Sequence, residues 1–198
     1  MIKIGVTGGL GSGKTIAARF FASKGAAIFD ADYEAKVHML HSNSLQKKLI
    51  NMFGNSIRNS RNKLDFAALA AIAFENPLDQ KILNGIIWPE VFLLVEKAAQ
   101  KYESEGTKLF ATDAALLIEA KYTHFFDYVL LITADYSTRI KRAHRRGNIS
   151  DEQIKKRIKL QMTDEEKKPF ASHWIENNGS IDQFISNLEA FYSGLSLH

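Results

Sequence analysis

The sequence predicts an α/β fold, a mostly parallel sheet with helices on both faces. Two observations carry this expectation. Short apolar runs alternate with stretches of helical periodicity, the pattern of strand–helix–strand units. A glycine-rich loop, Gly8-Gly9-Leu10-Gly11-Ser12-Gly13, joins the first apolar run directly to the first helix.

Ile2, Ile4 and Val6 form that first run, read as a buried strand. Ile16, Ala17, Ala18, Phe20 and Phe21 follow the loop at helical spacing, and Gly25 is a helix stop. Ala26-Ala27-Ile28-Phe29 reads as a second strand ending at Asp30-Ala31-Asp32. Helices are expected over 33–41 and 45–53, a polar loop over 55–63, and an alanine-rich helix over 66–74. Helical periodicity then runs from Asp79 to Glu105, with Pro89 expected to break or kink it. Residues 108–112 return to strand character and lead into Asp113; 128–133 is the clearest later strand. A basic helix over 137–146 follows, then a capping box, Ser150-Asp151-Glu152-Gln153, opening another helix. Trp174-Ile175 is a short last strand, and a helix over 181–192 closes the chain.

The 198 residues are 45% hydrophobic and 24% charged, the balance of one globular core with an added subdomain. With no cysteine there is neither a disulfide framework nor a thiolate metal site. The six histidines show no paired metal-ligand spacing; His38 and His41 are read as lying on a solvated helix face. No apolar run reaches the length of a membrane span, and strand 1 begins at once, so a cytoplasmic protein without a membrane partner is expected. The net charge of +4 is compatible with nucleic acid or with a polyanionic small substrate. The basic runs at 139–146 and 155–159 contain no interleaved aromatic residue, which favours the small substrate over nucleic acid.

Gly8 to Thr15 fits G-x-x-x-x-G-K-[ST], the loop that cradles nucleoside triphosphate phosphates in P-loop NTPases. Glycines let several backbone N–H groups face one anion, and the following helix adds its free donors. Gly8, Gly11, Ser12 and Gly13, with Lys14, Thr15 and Ile16 at the helix start, are thus the expected nucleotide-binding set. Lys14 reaches the β- and γ-phosphates, and the Thr15 hydroxyl is a ligand for Mg²⁺. The motif by itself does not separate a kinase from an ATPase or a switch.

Strand ends in a parallel sheet converge on one cleft, which places Lys14, Asp32, Asp113 and the residues after Thr133 together. Asp32 is the candidate carboxylate to take a proton from an acceptor hydroxyl, or to hold Mg²⁺ through water. The competing role for Asp30 and Asp32 is helix capping. Arg142 and Arg146 sit four apart on one helix face and can clamp a transferring phosphoryl group. The charged stretch of about 148–169 has the character of a lid that excludes water.

Taken together, these elements resemble the dephospho-CoA kinase family over nearly the whole chain. Val6 to Thr15 resembles its P-loop with a leading Thr, and Phe29-Asp30-Ala31-Asp32 its D-A-D element. Asp113 with Leu116-Leu117-Ile118-Glu119 resembles its D-x-P-L-L-x-E stretch. Lys141-Arg142 and Arg146 are similar to its basic helix, Arg157-Ile158 and Gln161 to its lid, and Ile175 to Gly179 to its I-x-N-x-G element. The resemblance implies a kinase that uses ATP and Mg²⁺ to phosphorylate the ribose 3′-hydroxyl of dephospho-CoA. It implies Asp32 beside that hydroxyl, Thr7, Leu116 and Glu119 as further acceptor contacts, and Asn178 near the adenine of ATP. It divides one kinase domain into a core (1–32, 106–147 and 170–198), a helical acceptor-binding subdomain (33–105) and the lid (148–169).

Four positions depart from the family pattern. Phe66 stands where Arg is usual, Trp88 for His, Ala115 for Pro and Ser172 for Asp. Phe66 and Trp88 fall in the acceptor subdomain and leave open another P-loop kinase with a different acceptor. Asn62-Lys63-Leu64-Asp65 also reads as N-K-x-D, the guanine-reading pattern of a nucleotide switch, but it follows polar residues rather than a strand. The residues carry no signal of oligomeric state.

Overall fold

The computed structural model describes residues 1–145, 147 and 150–195. Five strands, β1 (Ile2–Thr7), β2 (Ala27–Asp30), β3 (Leu109–Asp113), β4 (Tyr128–Thr133) and β5 (His173–Glu176), form one sheet in the order β2-β3-β1-β4-β5. Every neighbouring pair is parallel. The sheet is therefore wholly parallel, as strands joined by helical crossovers require. The central strand β1 pairs with β3 on one side and β4 on the other, so the chain leaves it toward both edges of the sheet. The loop after β1 stands at that divide, where ligands bind in such sheets.

Helix α1 (Lys14–Ser23) covers one face, with α9 (Ile181–Ser193) beside it. Ala17, Phe20 and Phe21 of α1 and Phe184, Leu188 and Phe191 of α9 pack on Ile4, Val6, Leu130 and Ile132. The opposite face carries the C-terminal half of α5 (Pro77–Ser104) through Val91, Val95 and Ala99, which pack on Phe29, Phe110 and Val129.

A second, smaller core lies away from the sheet. Met39 of α2 (Ala31–His41), Leu45 and Leu49 of α3 (Asn43–Phe53), and Leu69 and Ala73 of α4 (Phe66–Ala73) surround Leu83 of α5. The expected break at Pro89 does not occur: α5 runs 28 residues through it, about 42 Å long. Proline removes one helical hydrogen bond and crowds the carbonyl four residues back. Here that residue is Gly85, and the flanking turns are buried in separate cores, Leu83 in one and Val91 in the other. Tertiary burial on both sides of the proline outweighs its local penalty.

Other local expectations also change. His38 does not lie on a fully solvated face: it is half-buried, 3.4 Å from Glu90 of α5. In Asn62-Lys63-Leu64-Asp65, Leu64 bridges Arg58 and the Asp65 carboxylate caps α4 by accepting from the Ala67 and Ala68 amides. The tetrapeptide thus builds a turn and a helix start.

Beyond the sheet, α6 (Tyr136–Arg145), α7 (Asp151–Lys159) and α8 (Asp164–Lys167) complete the chain order. The capping box at Ser150 is formed in both directions.

Candidate active site

The loop from Gly8 to Gly13 leaves the end of β1 and enters α1 at Lys14. Gly8, Gly11 and Gly13 have φ of 146°, 80° and 117°. At Gly13 the glycine is demanded twice over. Its φ is in the region that side chains avoid, and a Cβ there would run into the amide of Asn177.

Three side chains from elsewhere pin the loop. Arg139 of α6, only 7% exposed, donates from Nε to the Leu10 carbonyl at 3.0 Å. Arg142 donates to the Ser12 carbonyl at 3.4 Å and to Oδ1 of Asn177 at 3.3 Å. Asn177, at the end of β5, donates from Nδ2 to that same Ser12 carbonyl at 2.7 Å. With its carbonyls engaged by these three side chains, the loop is held as a frame for its N–H groups. Arg142 loses water at this position, which lowers its pKa from the ordinary arginine value.

Asp30 and Asp32 end up with separate duties. Asp30 caps α2, accepting the Tyr33 amide at 2.9 Å. Asp32, one residue into α2, is open to the cleft yet hemmed in by protein, and desolvation raises its pKa. Lys14 opposes that rise, Asp30 adds to it, and Lys36 and Arg157 oppose it. The phosphate-loop lysine and the first-turn carboxylate are thus electrostatic neighbours. Arg157 of α7 also stands 5.7 Å from the Phe74 ring of the helical region, so α7 reaches across the cleft.

Thr15 is exposed on the first turn of α1, while Ile16 packs partly against the sheet core. Ser12 is buried with no hydrogen bond at Oγ among the described residues. Thr7 is buried, and its Oγ1 donates to the Ala115 carbonyl at 3.4 Å. Asp113 pairs in register with Val6 and Asp30 across the sheet.

A cavity of about 450 Å³ opens between α5, the segment after β3 and the end of α7. Leu116 and Glu119 line it, with Trp88, Asn84, Tyr122 and Met162. Trp88 and Tyr122 have ring centroids 6.2 Å apart. Of the other departures from the family pattern, Phe66 packs on the small helical core and Ser172 bonds both backbone groups of Val129.

Asn178 does not stand at the phosphate loop. Its Oδ1 accepts the Asp135 amide at 2.8 Å, and it lines a small 130 Å³ cavity after β4. The neighbouring Asn177 is the residue bonded to the loop, and the signal for it was present in the sequence, at the N of I-x-N-x-G. Arg139 carried no such signal, because a basic run reads as a solvated face. Arg146 and Asn148 lie outside the described residues, so Arg142 is the arginine of that pair whose position is defined.

Among the described residues no three His, Cys, Asp or Glu side chains are grouped to hold a metal. Mg²⁺ in nucleotide sites is held largely by substrate phosphates and water, with one or two protein oxygens. Thr15 and Asp32 are hard oxygen donors of that kind.

The profile of the dephospho-CoA kinase family matches residues 2–183. The chain is 34% identical over 188 residues to the dephospho-CoA kinase of Fusobacterium nucleatum, covering 95% of each. A crystal structure of a Thermus thermophilus protein superposes with a TM-score of 0.80 at 29% identity, covering 98% of each chain. The dephospho-CoA kinase structure from Campylobacter jejuni shares the fold, with a TM-score of 0.66 at 24% identity, covering 96% of this chain and 95% of that one.

Proposed function

The chain belongs to the dephospho-CoA kinase family, and from that premise we propose that Asp32 is the general base and that Lys14 and Arg142 stabilise the phosphoryl group in flight. The enzyme is a phosphotransferase: it moves the γ-phosphoryl group of ATP to the ribose 3′-hydroxyl of dephospho-CoA, giving coenzyme A and ADP. The observation carrying the residue assignment is that Asp32 lies within electrostatic reach of Lys14 at the end of the phosphate loop, with desolvation raising the carboxylate's pKa.

In this proposal the loop N–H groups from Gly8 to Gly13, with Lys14 and Ile16, hold the triphosphate. The acceptor hydroxyl sits between its γ-phosphorus and Asp32. As the bond from the acceptor oxygen to phosphorus forms and the bond to the β–γ bridging oxygen breaks, the hydroxyl proton passes to Asp32. Such a transition state is loose and spreads charge over the transferring group, so positioning and fixed cations do most of the catalysis. Lys14 meets that charge from the loop and Arg142 from α6. Thr15 and Asp32 would hold Mg²⁺, which neutralises phosphate charge when bound.

Helices α2 to α5 present the acceptor, with Thr7, Leu116 and Glu119 among its contacts, and the stretch 148–169 serves as the lid. Support for the lid comes from Arg157 at Phe74 and from the Leu10 amide donating to Gln161 at 3.1 Å. Asn178 lies beside the nucleotide base rather than the phosphates. No helix among the described residues is long and apolar enough to cross a membrane. A cytoplasmic site, where ATP is abundant, belongs to the same proposal.

A coupled ADP-release assay with dephospho-CoA tests the reading, with Mg²⁺ present or chelated and with phosphorus NMR of the product. Mg²⁺-dependent formation of a 3′-phosphate that disappears in Asp32→Asn is the expected result. Full turnover in Asp32→Asn removes Asp32 as the base.

A further inference from the structure

No step above uses Lys167, yet it is a fully buried charge, on the four-residue helix α8. Its Nζ lies 3.0 Å from Oε1 of Glu119 and donates to the Ala115 carbonyl at 3.3 Å. That carbonyl is the one that also accepts from Thr7, next to the phosphate loop. Oε1 of Glu119 takes a second donor, the Met162 amide at 3.2 Å. The other oxygen, Oε2, is buried and has no hydrogen-bond partner among the described residues.

This arrangement is poor as a stability device. Burying an ion pair gains little over an apolar pair of the same shape, and a buried acceptor without a donor is unfavourable. Both donors crowd one oxygen and leave the other bare, on a residue that lines the 450 Å³ cavity. A bare buried acceptor at a cavity wall is satisfied when a ligand supplies the donor. Burial pushes the Lys167 pKa down and Glu119 pulls it back up, so the Lys167 charge leans on its carboxylate partner.

We infer that Lys167 is a positioning residue for acceptor recognition: it pins Glu119 through Oε1 and thereby offers Oε2 to an N–H donor of the bound acceptor. This rests on the reading that the cavity receives dephospho-CoA. Two parts of that molecule carry such donors, the amino group of its adenine and the amides of its pantetheine arm. An ionised carboxylate attracts either one and repels a carbonyl oxygen at the same place.

The test compares Lys167→Met, Glu119→Gln and the double variant by KM for dephospho-CoA, KM for ATP and melting temperature. In Lys167→Met and in the double variant, KM for the acceptor should rise about tenfold or more, with KM for ATP held within about twofold. The double variant, which removes both charges, should recover the melting temperature lost in Lys167→Met without recovering acceptor KM. Recovery of both together, or a parallel rise in the two KM values, would mean a packing role and overturn the inference. If Lys167→Met fails to fold, Glu119→Gln and the double variant decide, and an unchanged acceptor KM in both overturns it.

An analogue with hypoxanthine in place of adenine separates the donors. Discrimination by the wild type that Glu119→Gln abolishes points to the adenine amino group. Equal use of both bases, with Glu119→Gln still impaired on each, points to the pantetheine amides. Absence of any turnover of dephospho-CoA by the wild type is a different result, and defeats the functional reading itself.

Discussion

The phosphate loop and the cavity proposed for the acceptor lie at the same end of the sheet but are held in different ways. The loop is a backbone structure: Arg139, Arg142 and Asn177 all bond its carbonyls, and its glycines adopt angles that other residues avoid. The cavity is a side-chain structure, assembled from α5, the segment after β3 and the end of α7. A ligand read by backbone N–H groups can be recognised through one short motif. A ligand read by side chains from three distant segments leaves no compact trace, and single replacements such as Trp88 re-line its wall.

Asp32, at the meeting point of the two, should show the largest effect. Asp32→Asn should lower kcat by roughly 10²–10⁴-fold, the usual contribution of a general base. It should also stabilise the fold at neutral pH. The Asp32 pKa is raised in the folded state, so the unfolded chain ionises more readily and the ionised group disfavours folding. That penalty grows as pH rises from the ordinary aspartate value of 3.8 through the folded pKa, and it vanishes at lower pH. Melting curves of the two proteins should therefore differ at pH 7 and converge in acid. A variant that is inactive and less stable at pH 7 would contradict this picture.

On the nucleotide side, Arg142→Ala should lower kcat by about 10²-fold and change KM for ATP much less, because the charge it meets develops in the transition state. Asn177→Ala removes a bond to the Ser12 carbonyl and a partner of Arg142. A net loss of roughly 1–1.5 kcal/mol, or about tenfold in kcat/KM for ATP, is expected, with KM for dephospho-CoA unaffected. Equal losses for both substrates would erase the distinction between the two regions.

The helical core offers the converse test. Leu49 is fully buried among Met39, Leu45, Leu69 and Leu83. Leu49→Ala should destabilise the protein by about 2–5 kcal/mol. If α2 to α5 serve the acceptor, the folded fraction should show a raised KM for dephospho-CoA while ATP affinity, measured by titration below the melting point, stays the same.

What could be read from the sequence follows the same divide. The strands declared themselves because both faces of the sheet are covered, which makes 128–133 a continuous apolar run. The phosphate loop declared itself because its geometry constrains residue type. Pro89 misled because its penalty is local, whereas the burial of Leu83 and Val91 on either side is tertiary. Arg139 and Lys167 were hidden inside charged runs that ordinarily face water, and only long-range partners, Leu10 and Glu119, explain their burial. Asn177 was legible only as the N of I-x-N-x-G: its bond to the Ser12 carbonyl spans 165 residues, and nothing local to the segment after β5 announces it.

The smallest effect belongs to the clip that fastens α2 and α3 onto α5. Glu90 accepts from Lys48 at 2.7 Å and lies 3.4 Å from His38. The Lys48 hydrogen bond, with a smaller contribution from His38, outweighs desolvation and holds the Glu90 pKa below its ordinary 4.5. A depressed carboxylate stabilises the fold above its unfolded pKa and loses that contribution as pH falls through the folded value. The pair is solvent-screened, with Lys48 well exposed, so Glu90→Gln should cost less than about 1 kcal/mol at pH 7. The cost should shrink in salt and fade as pH drops from 4.5 through the lowered folded pKa, in the acidic range where Asp32→Asn also converges with the wild type, but with the opposite sign. Because the clip sits on the helical core and away from the phosphate loop, KM for ATP should not move. A change in ATP affinity on Glu90→Gln would mean that the two regions are mechanically joined through α5, and that the separation drawn between them is too sharp.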